Sequence, residues 1–318
     1  MLVHSGRCRL TWLSSVCLLL NLGCAAVPYQ YGKFHADDDV RPVVQIEYGQ
    51  PNKTLDRIGW VVGLPARILP LSSKINNHQI STETTEKITA YLEKNDVTDV
   101  FVSVNQYAPK DEWRRLRENQ RIAPGWKYTA GTLSVVGYTI FPGRIFGGDR
   151  YNPFTNSLHI NSDVPAVALE EAAYAKDVRA RNYPGTYAAI NQLPIFSLWH
   201  HTRAVGDVLG YTRAENDWET EKQAYHVLFA HIGAQSASEA GPFMVPSSSL
   251  LVSPVLGLGG AVVGHGVGRT MAARRAEEIE AAEPADDGVQ LTGYTEEQQP
   301  DSKVPRLLPD GEDSNLER

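Results

Sequence analysis

Glu170, Glu171, Tyr174 and Asp177 fall within eight residues of one another, and two adjacent histidines, His200 and His201, follow. Carboxylates and imidazoles are the side chains that hold metal ions and move protons near neutral pH. On a helix, positions 170, 174 and 177 are spaced i, i+4 and i+7 and share one face. His159 and His231 are further imidazoles on which a metal site can draw. A purely structural role accounts for the same residues. Glu170 and Glu171 in the first turns of a helix favour its dipole, and Ala168, Ala172, Ala173 and Ala175 permit tight packing. Tyr174 can bury its ring and bond through its hydroxyl, while His200 and His201 occupy a helix junction.

The elements that must position these groups are legible around them. Residues 157–161, Ser-Leu-His-Ile-Asn, alternate as a strand, and Ser162 and Asp163 form a turn. Pro165 then opens a helix to about Arg181, which Tyr183-Pro184-Gly185 ends. Upstream, residues 43–48 and 97–104 read as strands, the second with Val100, Val102 and Val104 on one side. Residues 81–95 read as a helix capped by Ser81 or Thr82, burying Ile88, Tyr91 and Leu92. Residues 58–69 read as a packed irregular segment. Pro109 starts a helix over 111–119, with Trp113 and Leu116 inward and Arg114, Arg115 and Arg117 as a solvated face. Residues 126–141, rich in Tyr, Thr, Val and Ile, read as one or two strands. Residues 186–199 read as a buried helix, 200–214 as another, and 217–238 as a long one with Trp218, Tyr225, Leu228, Phe229 and Ile232 on its core face. The mixture predicts an α+β fold, a small sheet with several helices.

A strand followed by a helix bearing Ala-Leu-Glu170-Glu171-x-x-Tyr174 resembles the zincin class of zinc-dependent peptidases, gluzincins in particular. The resemblance covers roughly residues 130–215. It implies a zincin-like fold, with Glu171 as the base that activates a metal-bound water. It places Glu170 at the first metal ligand and Tyr174 at the second, where the family has histidines. In the downstream helix His201 stands where the family has a glutamate, with His200 beside it. Asp177 falls where a residue could orient a ligand from a second shell. Residues 151–159 resemble the edge strand along which such enzymes receive peptide. Three functions are compatible with this pattern. One is a non-catalytic zincin-like domain with a binding or structural role and no cofactor. The second is a membrane-associated metallopeptidase with Glu171 as base and Glu170, His200 and His201 as zinc ligands. The third is a glycine-zipper membrane protein whose globular part regulates assembly.

The chain ends favour an exported, membrane-attached protein. Arg7 and Arg9 precede an apolar run over 10–20, as in a signal peptide of 24 residues. Gly23-Cys24 resembles the lipobox of bacterial lipoproteins, which implies lipidation of Cys24 and a place in the bacterial cell envelope. Residues 25–56 read as a tether and 57–240 as the globular domain. Residues 247–269 carry no charge before Arg269 and repeat Gly260, Gly264 and Gly268 at every fourth position. As a helix of roughly 33 Å they are long enough to cross a bilayer, or to pack closely through the glycines in a homo-oligomer or against the protein's own core. Residues 276–318 hold thirteen acidic and three basic residues, so the net charge of −7 becomes about +3 for the rest. This tail reads as disordered beyond its first turns. All three cysteines, Cys8, Cys17 and Cys24, lie in the leader, which excludes an internal disulfide or a Cys-based zinc site in the mature chain. No basic patch with interleaved aromatics supports nucleic-acid binding. The expected partner is membrane lipid.

Overall fold

The computed structural model describes residues 28–36, 42–50, 52–193, 196–244 and 252–282. The leader with Cys24 and the acidic tail beyond residue 282 lie outside the described residues. The chain divides into two compact units, Met1–Ala276 and Glu277–Arg318. The elements are β1 (Gln45–Tyr48), α1 (Lys53–Val62), α2 (Leu64–Ile68), α3 (Thr82–Lys94), β2 (Phe101–Val104) and α4 (Pro109–Glu118). A helical run follows, made of α5 (Pro124–Trp126), a π-type turn (Lys127–Gly131) and α6 (Thr132–Ile140). Then come α7 (Gly143–Phe146), β3 (Arg150–Asn152), β4 (Ser157–Ile160), α8 (Pro165–Arg179), α9 (Pro184–Ile190), α10 (Phe196–Ala214), α11 (Trp218–Met244) and α12 (Val252–Ala282).

The sheet order is β1-β2-β4-β3. β1, β2 and β4 run parallel, and β3 pairs antiparallel with β4 at the edge. The protein is thus mixed α/β and mostly helical, with a small mixed sheet. β2 and β4 are buried along their whole length, as central parallel strands covered on both faces should be. Val102, Val104, Leu158 and Ile160 join α3 (Ile88, Tyr91, Leu92) and α8 (Leu169, Ala172) in the main core. A smaller cluster of Leu116, Ile122, Val135, Phe154 and Ala188 lies under α4 and α6.

α8 is the central helix. Pro165 sits in its first turn, where a missing N–H costs nothing. Ten of its fifteen residues are buried, five of them alanines. These small side chains let α3, α10 and α11 all pack on it. The turn before it fixes α3 as well: Asp163 Oδ1 accepts from Ser81 N at 2.9 Å, Ser81 Oγ at 2.6 Å and Thr84 Oγ1 at 2.8 Å. Ser81 is the N-cap of α3, as its sequence predicts.

Three expectations are corrected. Of residues 126–141, expected as strands, 126–140 are helical. Val135 and Tyr138 are buried one turn apart, and Thr129 and Thr139 return their hydroxyls to the carbonyls of Gly125 and Val135, which makes β-branched residues tolerable in a helix. Residues 58–69 belong to α1 and α2 rather than to an irregular segment. The apolar run 186–199 is divided between α9 and α10, and Leu193, Phe196 and Trp199 are exposed rather than buried. Residues 28–35, within the stretch read as a tether, pack against the body. His35 Nδ1 lies 2.8 Å from Asp96 Oδ1, and Tyr29 bonds Asn95 Oδ1 at 2.8 Å.

The glycine stripe of α12 is used inside the chain. A Cβ on Gly260 would fall 2.1 Å from Gly233 O, on Gly264 2.1 Å from Phe229 O, and on Gly268 2.0 Å from Tyr225 O. These contacts are all to α11. Part of the stretch expected to cross a membrane, 247–269, lies in α12. Among the described residues no helix is long and apolar enough to cross a membrane; residues 247–251 lie outside them. Six glycines lower the apolar content of the stretch, and Arg269, Arg274 and Arg275 continue the same helix.

Candidate functional site

The packing of α8 against α10 brings Glu170 to His201. The two residues are 31 positions apart in sequence, yet Glu170 Oε1 and His201 Nδ1 lie 2.8 Å apart. Glu170 is almost wholly buried and His201 about four-fifths buried, its side chain 19% exposed. Burial opposes the charge on Glu170, but the hydrogen bond and positive charge of His201 outweigh it and hold the carboxyl below its ordinary range. Burial likewise opposes the charge on His201, and Glu170 and Glu171 together raise its pKa above the ordinary value. Both shifts favour the ion-paired form, with imidazolium Nδ1–H donating to carboxylate.

A row of rings extends from it. The His200 and His201 ring centroids are 4.2 Å apart, His200 and Tyr174 are 4.4 Å apart, and Tyr174 meets Tyr151 edge-on at 5.7 Å. The exposed His231 of α11 stands 5.9 Å from His201. Burial and the neighbouring imidazolium push His200 down to about 4, so it is neutral. Burial raises the Tyr174 hydroxyl well above its ordinary pKa.

Glu171 turns the other way. Its Oε2 accepts the backbone N–H of Tyr151, on the edge strand β3, at 2.8 Å. Part of the residue is accessible, yet burial of the carboxyl and the Glu170 charge push it up to about 8. At pH 7 it is mostly protonated.

Of the residues singled out from sequence, Glu170, Glu171, Tyr174, His200 and His201 are brought together. Asp177 is not: its carboxylate is held by Arg203 at 3.0 Å, by Arg181 and by the Tyr187 hydroxyl, so it orients none of the expected ligands. His159 sits under α4 and α6, 3.6 Å from the buried Glu112, and does not join the cluster. Tyr151, expected in an edge strand, contributes a backbone N–H to Glu171.

Within the cluster His201 gives its Nδ1 to Glu170, the arrangement that in metal sites orients a histidine whose Nε2 faces the ion. Tyr174 offers its ring face to His200 and has a hydroxyl that is hard to ionise. Among the described residues no group of three or more His, Cys, Asp or Glu side chains is arranged to hold a metal ion. No family model, curated protein or solved structure matches the chain.

Proposed function

We propose that this chain is a bacterial envelope lipoprotein whose body is zincin-like and catalytically silent, serving a binding or structural role. The carrying observation is the 2.8 Å contact between Glu170 and His201. In the zincin pattern these positions are the first and third metal ligands, and here their types are exchanged: carboxylate for imidazole, imidazole for carboxylate. An acid and a base that would both have faced a cation neutralise each other instead, and α8 stays clamped to α10 without metal. Tyr174, at the second ligand position, fills space against His200. Glu171, at the position of the base, is mostly protonated at pH 7 and caps an edge-strand N–H, so it has little capacity to take a proton from water.

The test is the metal content of protein purified without chelator and equilibrated with zinc. The proposal expects well under one zinc per chain and no peptidase activity. One zinc per chain that disappears in His201→Ala would replace it with the metallopeptidase reading. Lipidation is tested apart from this, by mass spectrometry for an acyl-glyceryl group on Cys24.

A further inference from the structure

α1 and α2 follow one another through Gly63, which stays in the right-handed helical region, and this segment has an unusual surface. Trp60, Val61, Ile68 and Leu71 are exposed on it, and Phe141 and Phe146 are exposed beside it, with Val61 53% and Phe141 60% accessible. Contiguous exposed apolar surface of this kind marks an interaction site. The first helix of this segment packs on α7. A Cβ on Gly59 would fall 2.3 Å from Arg144 O, so α1 lies directly on α7. Arg144 Nε meets Asp56 Oδ1 at 2.6 Å, and Phe141 packs edge-on against Phe146.

Arg67 of α2 also satisfies carbonyls of this segment and of the chain just after it. Arg67 is buried, and its guanidinium donates to Trp60 O at 2.7 Å, Ile75 O at 2.6 Å and Asn76 O at 2.6 Å. Carbonyls that would otherwise need water thus have partners from within, the condition for placing backbone near hydrocarbon. The rim is cationic. Lys53 and Arg57 are exposed on α1, and the one acid of that helix, Asp56, is neutralised by Arg144.

We propose that this helical segment, with Phe141 and Phe146, is a monotopic insertion surface for an anionic lipid bilayer. An apolar face with aromatics and a Lys/Arg rim is the pattern of interfacial membrane binding, in which the bilayer is entered but not crossed. A second copy fits less well, because a two-fold interface on this face would bring Lys53 and Arg57 toward their own counterparts. The surface is distinct from the Glu170–His201 site and needs no acyl chain.

The experiment uses the full chain carrying Cys24→Ser, so that no lipid anchor contributes. It is mixed with phosphatidylglycerol-rich vesicles, with pure phosphatidylcholine vesicles, and with brominated phosphatidylglycerol vesicles. The expected result is co-sedimentation with the anionic vesicles, falling about tenfold or more in Val61→Asp/Phe146→Asp. Quenching of tryptophan fluorescence by brominated lipid is expected and should diminish in Trp60→Phe, which retains the apolar face and covers the case in which the aspartate variant misfolds. No association with anionic vesicles overturns the proposal, as does quenching unchanged by Trp60→Phe. So does a dimer in solution that the aspartate pair converts to monomer while vesicles remain unbound.

Discussion

Replacing Glu171 by Gln should stabilise the protein in alkali and do almost nothing in acid. Glu171 has a pKa of about 8 in the fold against an ordinary 4.5. A carboxyl with a raised folded pKa binds its proton more tightly folded than unfolded. Its favourable contribution is complete below about pH 4.5 and is lost as pH rises toward 8, because the unfolded chain ionises first. The gap corresponds to at most about 5 kcal/mol; solvent reaching the partly accessible residue lowers this to about 2 kcal/mol. Glutamine keeps an oxygen for Tyr151 N and never ionises. Urea unfolding followed by tryptophan fluorescence should therefore show Glu171→Gln more stable by about 2 kcal/mol at pH 9 and within about 0.5 kcal/mol of the parent at pH 5. Equal effects at the two pH values, or a loss at pH 9, would refute the assignment of a buried, protonated Glu171.

Glu170→Gln should destabilise the fold by about 1.5–3 kcal/mol at pH 6, the cost of losing a charged hydrogen bond in a buried setting. Its pH dependence has two sides. The depressed Glu170 contributes above its ordinary 4.5 and loses its effect as pH falls through its lower folded value. The raised His201 contributes fully below 6.5 and loses its effect as pH rises through its higher folded value. The difference between parent and variant in urea titrations should accordingly be largest near pH 5–6.5. Gly264→Leu should expose α12 to protease by forcing it from α11, while the oligomeric mass from light scattering stays that of the parent; an oligomer that breaks up would show instead that the glycines join copies. Asp207→Asn should release the segment 28–35, because Asp207 accepts from Lys176 Nζ at 2.7 Å and Tyr91 OH at 2.5 Å beneath Tyr29. Faster hydrogen exchange confined to residues 28–35 and their contacts would show it.

Much of the framework was legible because local signals agreed with the tertiary environment. Ser81 caps α3 and Pro165 opens α8 as their positions imply, and β2 and β4 lie where alternation places them. Residues 126–141 were not legible, since Tyr, Thr, Val and Ile favour strands until threonine hydroxyls and a neighbouring helix make helical geometry acceptable. The glycine stripe of α12 announced close packing without saying whose backbone would fill it. In the site, spacing placed Glu170 and Tyr174 on one face. The pairing of Glu170 with His201 depends on how α8 meets α10, which no local pattern encodes. Asp177 shares the expected face but lies nearer to Arg181 and Arg203, whose charges capture it.

The central claim is that an internal ion pair occupies the place of a metal. It is tested most directly by nitrogen-15 NMR of the His201 ring at pH 6, before and after addition of zinc. The account predicts both ring nitrogens protonated, with Nδ1–H bonded to Glu170, and no change with zinc at one equivalent. Loss of either ring proton, with a shift of that nitrogen as zinc is added, would contradict it.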